Sequence, residues 1–138
     1  RDKRGRAVSV AYLGLCNASE LDLSSGLYDV KKVSALKKMA YDHASVLKSA
    51  TARLESKVEY TNIIQKLTKE TFTFSELQKI YEVILKKDFD KRNFRKKIES
   101  LNMLEETGKK VQIGKMRPAK EYSFKSPEIK TFKLFGEF

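Results

Sequence analysis

The stretch 71–101 limits what this chain can fold into more than any other part of it. Leu77, Ile80, Tyr81, Ile84 and Leu85 recur at i, i+3, i+4, i+7 and i+8, which makes one side of a helix apolar. Ser75 precedes that run and Gln78 follows it by three, a capping-box spacing that predicts a helix starting at Ser75. A short polar connection then leads to Asp90, a residue type whose carboxylate caps helix N-termini. Beyond it Phe94, Ile98 and Leu101 supply a second inward stripe. Turning that stripe inward points Lys91, Arg92, Arg95 and Lys96 outward. Two amphipathic helices joined by a tight turn, the second with a basic outer face, have the geometry of a helix-turn-helix whose second helix enters a DNA groove.

The charge balance supports this. The 138 residues carry a net charge of +11, an excess that favours a polyanionic partner, nucleic acid or an anionic membrane surface. Between positions 86 and 120 there are 12 basic and 5 acidic residues, so +7 of that charge lies in a quarter of the chain. A charged helix face is often no more than a solvated surface. Here three neighbouring features converge on binding: a capped amphipathic helix before it, a short turn, and a basic hairpin after it.

That hairpin is read from 103–107 and 119–124 as strands, separated by a tip over 108–117 that carries Lys109, Lys110, Lys115 and Arg117. A long basic hairpin directly after a recognition helix is a wing. Phe72 and Phe74 alternate with threonines, as in a short strand leading into the helix. With Phe89 and Phe94 they are expected to pack in the core, since they are not interleaved with the basic face as stacking platforms would be. The tail carries Ile129, Phe132, Leu134, Phe135 and Phe138, which need a surface to cover.

Upstream, the apolar run 7–16 reads as a buried strand that opens from a charged turn over 1–6 and ends at Asn17. No partner strand precedes it, so the chain reads as starting inside a domain. Residues 17–26 read as a loop and 27–33 as another short strand. Asp42, followed by Ala44, Val46, Leu47, Ala50 and Leu54, predicts a helix over 42–56 with a junction near Lys57 and Val58. A short helix over 60–67 would bury Ile63, Ile64 and Leu67.

Few residues suit catalysis. Cys16, the single cysteine, lies in an apolar run and is expected to be a small buried hydrophobe. One thiol forms no intrachain disulfide, which suits a reducing cytoplasm. His43 has no cysteine or second histidine nearby to share a zinc ion and is expected to bond locally in a first helical turn. There is no Gly-rich phosphate loop and no nucleophile paired with the histidine. Glu105 and Glu106 would point to opposite faces of a strand rather than form an acid/base pair. No catalytic residue, metal site or cofactor is therefore assigned within the chain. No stretch is long and apolar enough to span a bilayer, and the first residues lack the apolar core of a signal peptide.

At this level of detail the residues resemble a known family. The stretch 72–101, with Asp90-Lys91-Arg92-Asn93-Phe94-Arg95-Lys96-Lys97, then Leu104-Glu105-Glu106-Thr107-Gly108 and Arg117-Pro118-Ala119, closely resembles the C-terminal winged helix of Nudix-related transcriptional regulators. The turn 1–6, the strand 8–15 and the helix start Tyr41-Asp42-His43-Ala44 look like the last third of the Nudix domain that precedes it. The resemblance spans nearly the whole chain, specific across the winged helix and looser over 17–38. It implies an α+β fold: a winged helix-turn-helix over 58–138, preceded over 1–57 by part of a Nudix-like α/β domain. It also implies a repressor of cofactor or sugar metabolism genes whose Nudix-like domain senses a nucleotide sugar such as ADP-ribose. The family's metal-binding Nudix box lies upstream of these residues, so the chain reads as part of a longer one.

On this reading the protein is a homodimer on a palindromic operator of double-stranded DNA, in the cytoplasm. Arg92, Asn93 and Arg95 are expected nearest the base edges. Lys91, Lys96, Lys97, Lys109, Lys110, Lys115 and Arg117 are expected on phosphates, which set register without reading sequence. Arg1, Arg4 and Arg6 either form a plain hairpin loop or, with His43, are candidate ligand or dimer contacts. Two alternatives remain: a nucleoside diphosphate-sugar pyrophosphatase of the Nudix type with a basic accessory domain, and a non-specific nucleic-acid-binding module.

Overall fold

The computed structural model describes residues 5, 8–26, 29–36, 38–112 and 117–132. Helix α1 spans His43–Tyr60, strand β1 Phe72–Thr73, helix α2 Phe74–Leu85 and helix α3 Lys91–Ser100. Strands β2 (Leu104–Val111) and β3 (Ala119–Phe124) complete the fold. The strands form one antiparallel sheet in the order β1-β3-β2. Three helices and a small sheet with a protruding β2–β3 hairpin make a winged helix.

The helix stripes behave as their spacing predicts. Leu77, Tyr81 and Leu85 of α2 and Phe94 and Ile98 of α3 are buried in one core with Val58, Ile64, Phe72, Met103 and Tyr122. Ile80, Ile84 and Leu101 pack at its margin. The rings of Tyr81 and Phe94 meet edge to face, with centroids 5.5 Å apart. Burial pushes the Tyr81 phenol up from its ordinary pKa. Phe72 is buried, and Phe74 and Phe89 are half-buried at the core's edge, so all four phenylalanines serve packing.

Asp90 caps α3 as expected, its Oδ1 accepting the Asn93 N–H at 2.9 Å. The expected cap of α2 is displaced by two residues. Thr73, not Ser75, is the N-cap: its Oγ1 accepts the Glu76 N–H at 3.3 Å, and Glu76 Oε2 accepts the Thr73 N–H at 2.8 Å. Thr-Phe-Ser-Glu is the stronger box, because a carboxylate is favoured at the positive end of a helix and an amide is not. The expected partner of Ser75, Gln78, is buried and bonded elsewhere.

Helix α1 is longer than the 42–56 read from sequence. Nothing in Lys57-Val58-Glu59 breaks a helix, and Val58 is fully buried in the core. The helix stops when Thr61 turns extended and its hydroxyl donates to the Lys57 carbonyl at 2.7 Å. Asp42 occupies the N-cap position without a side-chain cap bond. The short helix expected over 60–67 is a 3-10 turn at Ile63–Lys66 that buries Ile64.

Strand β2 continues past the expected 103–107, so Lys109 and Lys110 lie in the strand and not in the tip. Pairing shifts between Glu106↔Tyr122 and Lys110↔Lys120, which leaves residues 107–109 opposite Glu121 alone. Gly108, at φ 79°, takes the left-handed conformation this bulge needs. Glu105 and Glu106 do separate: one reaches the Ser123 hydroxyl, the other the Lys120 ammonium.

Two expectations upstream fail. The run 8–16 forms no strand and is largely exposed, Val8 at 96% and Tyr12 at 92%, and Cys16 is exposed as well. A strand needs an edge to pair its backbone groups, and this run pairs with none of β1, β2 and β3. The described part of 27–33 is also irregular, apart from a 3-10 turn at Val33–Ala35. The loop expected over 17–26 is present, shaped by Asn17 and Asp22, each accepting the N–H two residues on.

Of the apolar tail residues described, Phe132 finds a surface near the end of α1, while Ile129 stays 46% exposed. Asn62, 3% exposed, donates to the Glu128 carbonyl at 2.9 Å and accepts the Lys130 N–H at 2.6 Å. The Phe132 N–H donates to the Tyr60 carbonyl at 2.7 Å, and its ring packs on the core. Leu134, Phe135 and Phe138 lie outside the described residues.

Candidate nucleic-acid interface

With Phe94 and Ile98 facing the core, the 100° step of the helix sets where every other side chain of α3 points. Arg92 and Lys96 are outermost. Lys91 and Arg95 flank the side toward α2, and Asn93 and Lys97 flank the other. Arg92, Asn93, Arg95 and Lys96 are exposed, whereas Lys97 is half-buried.

Two adjoining clefts collect this charge. One, between the start of α2 and α3, is lined by Phe74, Ser75, Gln78, Lys91, Arg92 and Arg95. The other continues onto the wing and is lined by Thr73, Phe74, Ser75, Arg95, Lys110, Arg117, Pro118, Ala119 and Lys120. Phe74, Ser75 and Arg95 belong to both, so helix and wing share one concave basic surface.

Arg95 is the hinge of that surface. Its guanidinium lies over the Phe74 ring, 4.5 Å from the centroid, where the negative π face attracts it. Its Nε is 3.8 Å from the Glu99 carboxylate one turn on, an exposed pair worth little by itself. Lys120 is held by Glu106 at 2.9 Å, and that hydrogen bond, with the carboxylate's charge, raises the ammonium pKa. Beside Lys91, the Glu82 carboxyl is held below its usual range by hydrogen bonds from Gln78 and then from the Phe89 N–H, with Lys79 and Lys91 adding to the effect.

Of the residues singled out from sequence, the clefts bring together Lys91, Arg92, Arg95, Lys110 and Arg117. Asn93, Lys96, Lys97 and Lys109 do not line them. Lys115, Arg1, Arg4 and Arg6 lie outside the described residues. His43 is exposed in the first turn of α1, near the Tyr41 ring, and is not part of either cleft. Phe74, Ser75 and Lys120 were missed. Reading the capping box at Thr73 and Glu76 would have placed Ser75 inside the first turn of α2, while its place beside α3 and the wing comes from the tertiary fold.

Among the described residues no group of side chains is placed to hold a metal ion, and no helix is long and apolar enough to cross a membrane.

Residues 64–124 match the family of NrtR DNA-binding winged helix domains. Over 129 residues the chain is 38% identical to the ADPR responsive transcriptional repressor NtrR of Acinetobacter baylyi, covering 90% of this chain and 51% of that protein. A crystal structure of Shewanella oneidensis NrtR complexed with a 27mer DNA superposes with a TM-score of 0.67, and a second NrtR structure from the same organism with 0.66. Each is 30% identical and covers 80% of this chain and 52% of its own. The chain spans about half the length of these relatives. Over residues 64–124 the winged helix thus matches the DNA-binding domains of NrtR, a Nudix-related regulator.

Proposed function

We propose that the chain is the operator-reading part of a homodimeric transcriptional repressor of cofactor or sugar metabolism genes, acting in the cytoplasm and controlled by an ADP-ribose-like effector. The observation that carries this is the single basic surface shared by α3 and the wing across Phe74, Ser75 and Arg95. The name of the Acinetobacter relative, an ADPR responsive repressor, supports the effector. The DNA in one Shewanella complex supports the partner.

In this reading residues from about 58 onward form the DNA-binding unit, residues 1–57 belong to the Nudix-like sensor, and α1 spans the two. Arg92, Asn93 and Arg95 read base edges, because the first turns of a recognition helix reach deepest into the major groove. Lys91, Lys96, Lys97, Lys109, Lys110, Lys115 and Arg117 contact phosphates, and Ser75, at the positive end of α2, joins them. Arg1, Arg4, Arg6 and His43 face the effector or the second subunit. Two recognition helices in successive major grooves require a palindromic site with half-sites about one helical turn apart.

The test is selection of bound duplexes from a random pool by the full-length protein, repeated with ADP-ribose. A palindrome whose enrichment changes with the ligand supports both operator and effector. A bound pool with the composition of the starting pool would sink the sequence-specific reading.

A further inference from the structure

The connection between α2 and α3, residues 86–90, has no regular structure of its own, so the helix hydrogen-bond ladders do not set the angle at which α3 leaves it. Beside the packing of Phe94 and Ile98 in the core, a ring of three residues ties this connection to α2. Gln78, 9% exposed, donates from its amide nitrogen to Glu82 Oε1 at 2.8 Å and to the Phe89 carbonyl at 2.8 Å. Both amide hydrogens are thereby used. The same Glu82 oxygen accepts the Phe89 N–H at 3.2 Å. Two residues one turn apart on α2 therefore grip both main-chain polar groups of Phe89. Its ring rests against Phe94, 5.8 Å away, and the next residue, Asp90, is the cap on which α3 is built.

We infer that Gln78 and Glu82 are positioning residues for base reading: through Phe89 they fix the depth and rotation at which α3 presents Arg92 and Arg95. Hydrogen bonds to base edges demand donor–acceptor distances near 3 Å and near-linear angles, whereas a mobile phosphate contact tolerates more. Loosening the grip on Phe89 costs discrimination before it costs non-specific affinity. This rests on the DNA-reading proposal above and deepens it.

The test compares two probes on the full chain: the duplex that the unmodified protein recovers from a random pool, and a shuffled duplex of the same composition. Gln78→Met keeps the buried volume and removes both donors. Its preference for the selected over the shuffled duplex should fall about tenfold, roughly the weight of one base contact. Affinity for the shuffled duplex should fall far less than affinity for the selected one, and Glu82→Gln, at a residue outside both clefts, should leave the shuffled duplex and the salt dependence as they are. Glu82→Met should lose preference to the same extent and speed hydrogen exchange at the Phe89 amide. The double variant should be no worse than either single one, as for members of one unit. Glu82→Gln, which keeps the accepting oxygen, should retain most of the preference.

An unchanged preference in Gln78→Met overturns the positioning role and leaves DNA reading intact. So does a parallel loss on both duplexes, the mark of a merely structural residue. Should Gln78→Met not fold, the same two outcomes are read from Glu82→Met and Glu82→Gln. An unmodified protein without any preference overturns the DNA reading, and this inference with it.

Discussion

Residues 8–16 and 77–85 are both rich in large apolar side chains, and their fates are opposite. In α2, Leu77 and Tyr81 are fully buried; in the upstream run, Val8 and Tyr12 stand almost fully exposed. The difference lies in what each can pair with. A helix satisfies its own backbone groups and needs only a complementary stripe, which α3, the end of α1 and the sheet provide. A strand must also find an edge. Apolar content thus marks a wish to be buried, while burial itself depends on whether the partner surface lies within reach.

The largest expected contrast is in stability. Ile98→Ala should cost about 2–5 kcal/mol in denaturant unfolding, as a methyl-rich side chain leaves a closed core. Tyr12→Ala should stay within about 0.5 kcal/mol. A large loss at Tyr12 would mean that the upstream run is packed after all. The next effect concerns binding. Arg95→Ala should weaken operator affinity by about 1–3 kcal/mol and relax base preference, while Lys97→Ala, on the half-buried flank of α3, should shift it less. Competition gel shifts with selected and shuffled duplexes would measure both. Equal effects would remove the distinction between the cleft side of the helix and its far flank.

A smaller effect separates the two candidate caps of α2. Thr73→Ala should destabilise by about 1 kcal/mol, and Ser75→Ala by much less, since only Thr73 receives the Glu76 N–H. Thermal melts of the two variants decide it. The smallest effect is in acid. The Glu82 carboxyl titrates below its ordinary value in the folded protein, so its contribution is present above the unfolded pKa and fades as pH falls through the folded one. Glu82→Gln should flatten that part of the stability-against-pH curve; an unaltered acid limb would show that the group titrates alike in both states.

Much of the helix pair was legible along the chain because its causes are local. Three- and four-residue spacing puts Leu77, Tyr81, Phe94 and Ile98 on their faces whatever the rest of the chain does. The Asp90 cap acts within three residues, and the outward charge of α3 follows once its stripe faces in. The placement of Arg92 and Arg95 on the cleft side could not be read that way, nor could the recruitment of Phe74, Ser75 and Lys120. These depend on where the start of α2 and the wing come to lie against α3, across separations of some twenty residues or more.

The same divide runs through the rest of the molecule. Periodicity, caps and charge runs act over one or two turns, so residues 74–101 carried their two helices, the Asp90 cap and their basic face in the order of their amino acids. The bulge at Gly108, the clasp of the tail on Asn62, the shared cleft under Arg95 and the exposure of 8–16 were settled by folding in three dimensions. Each is a contact, or the want of one, between segments distant in the chain, and the free energy of such a contact depends on a surface that no local pattern contains.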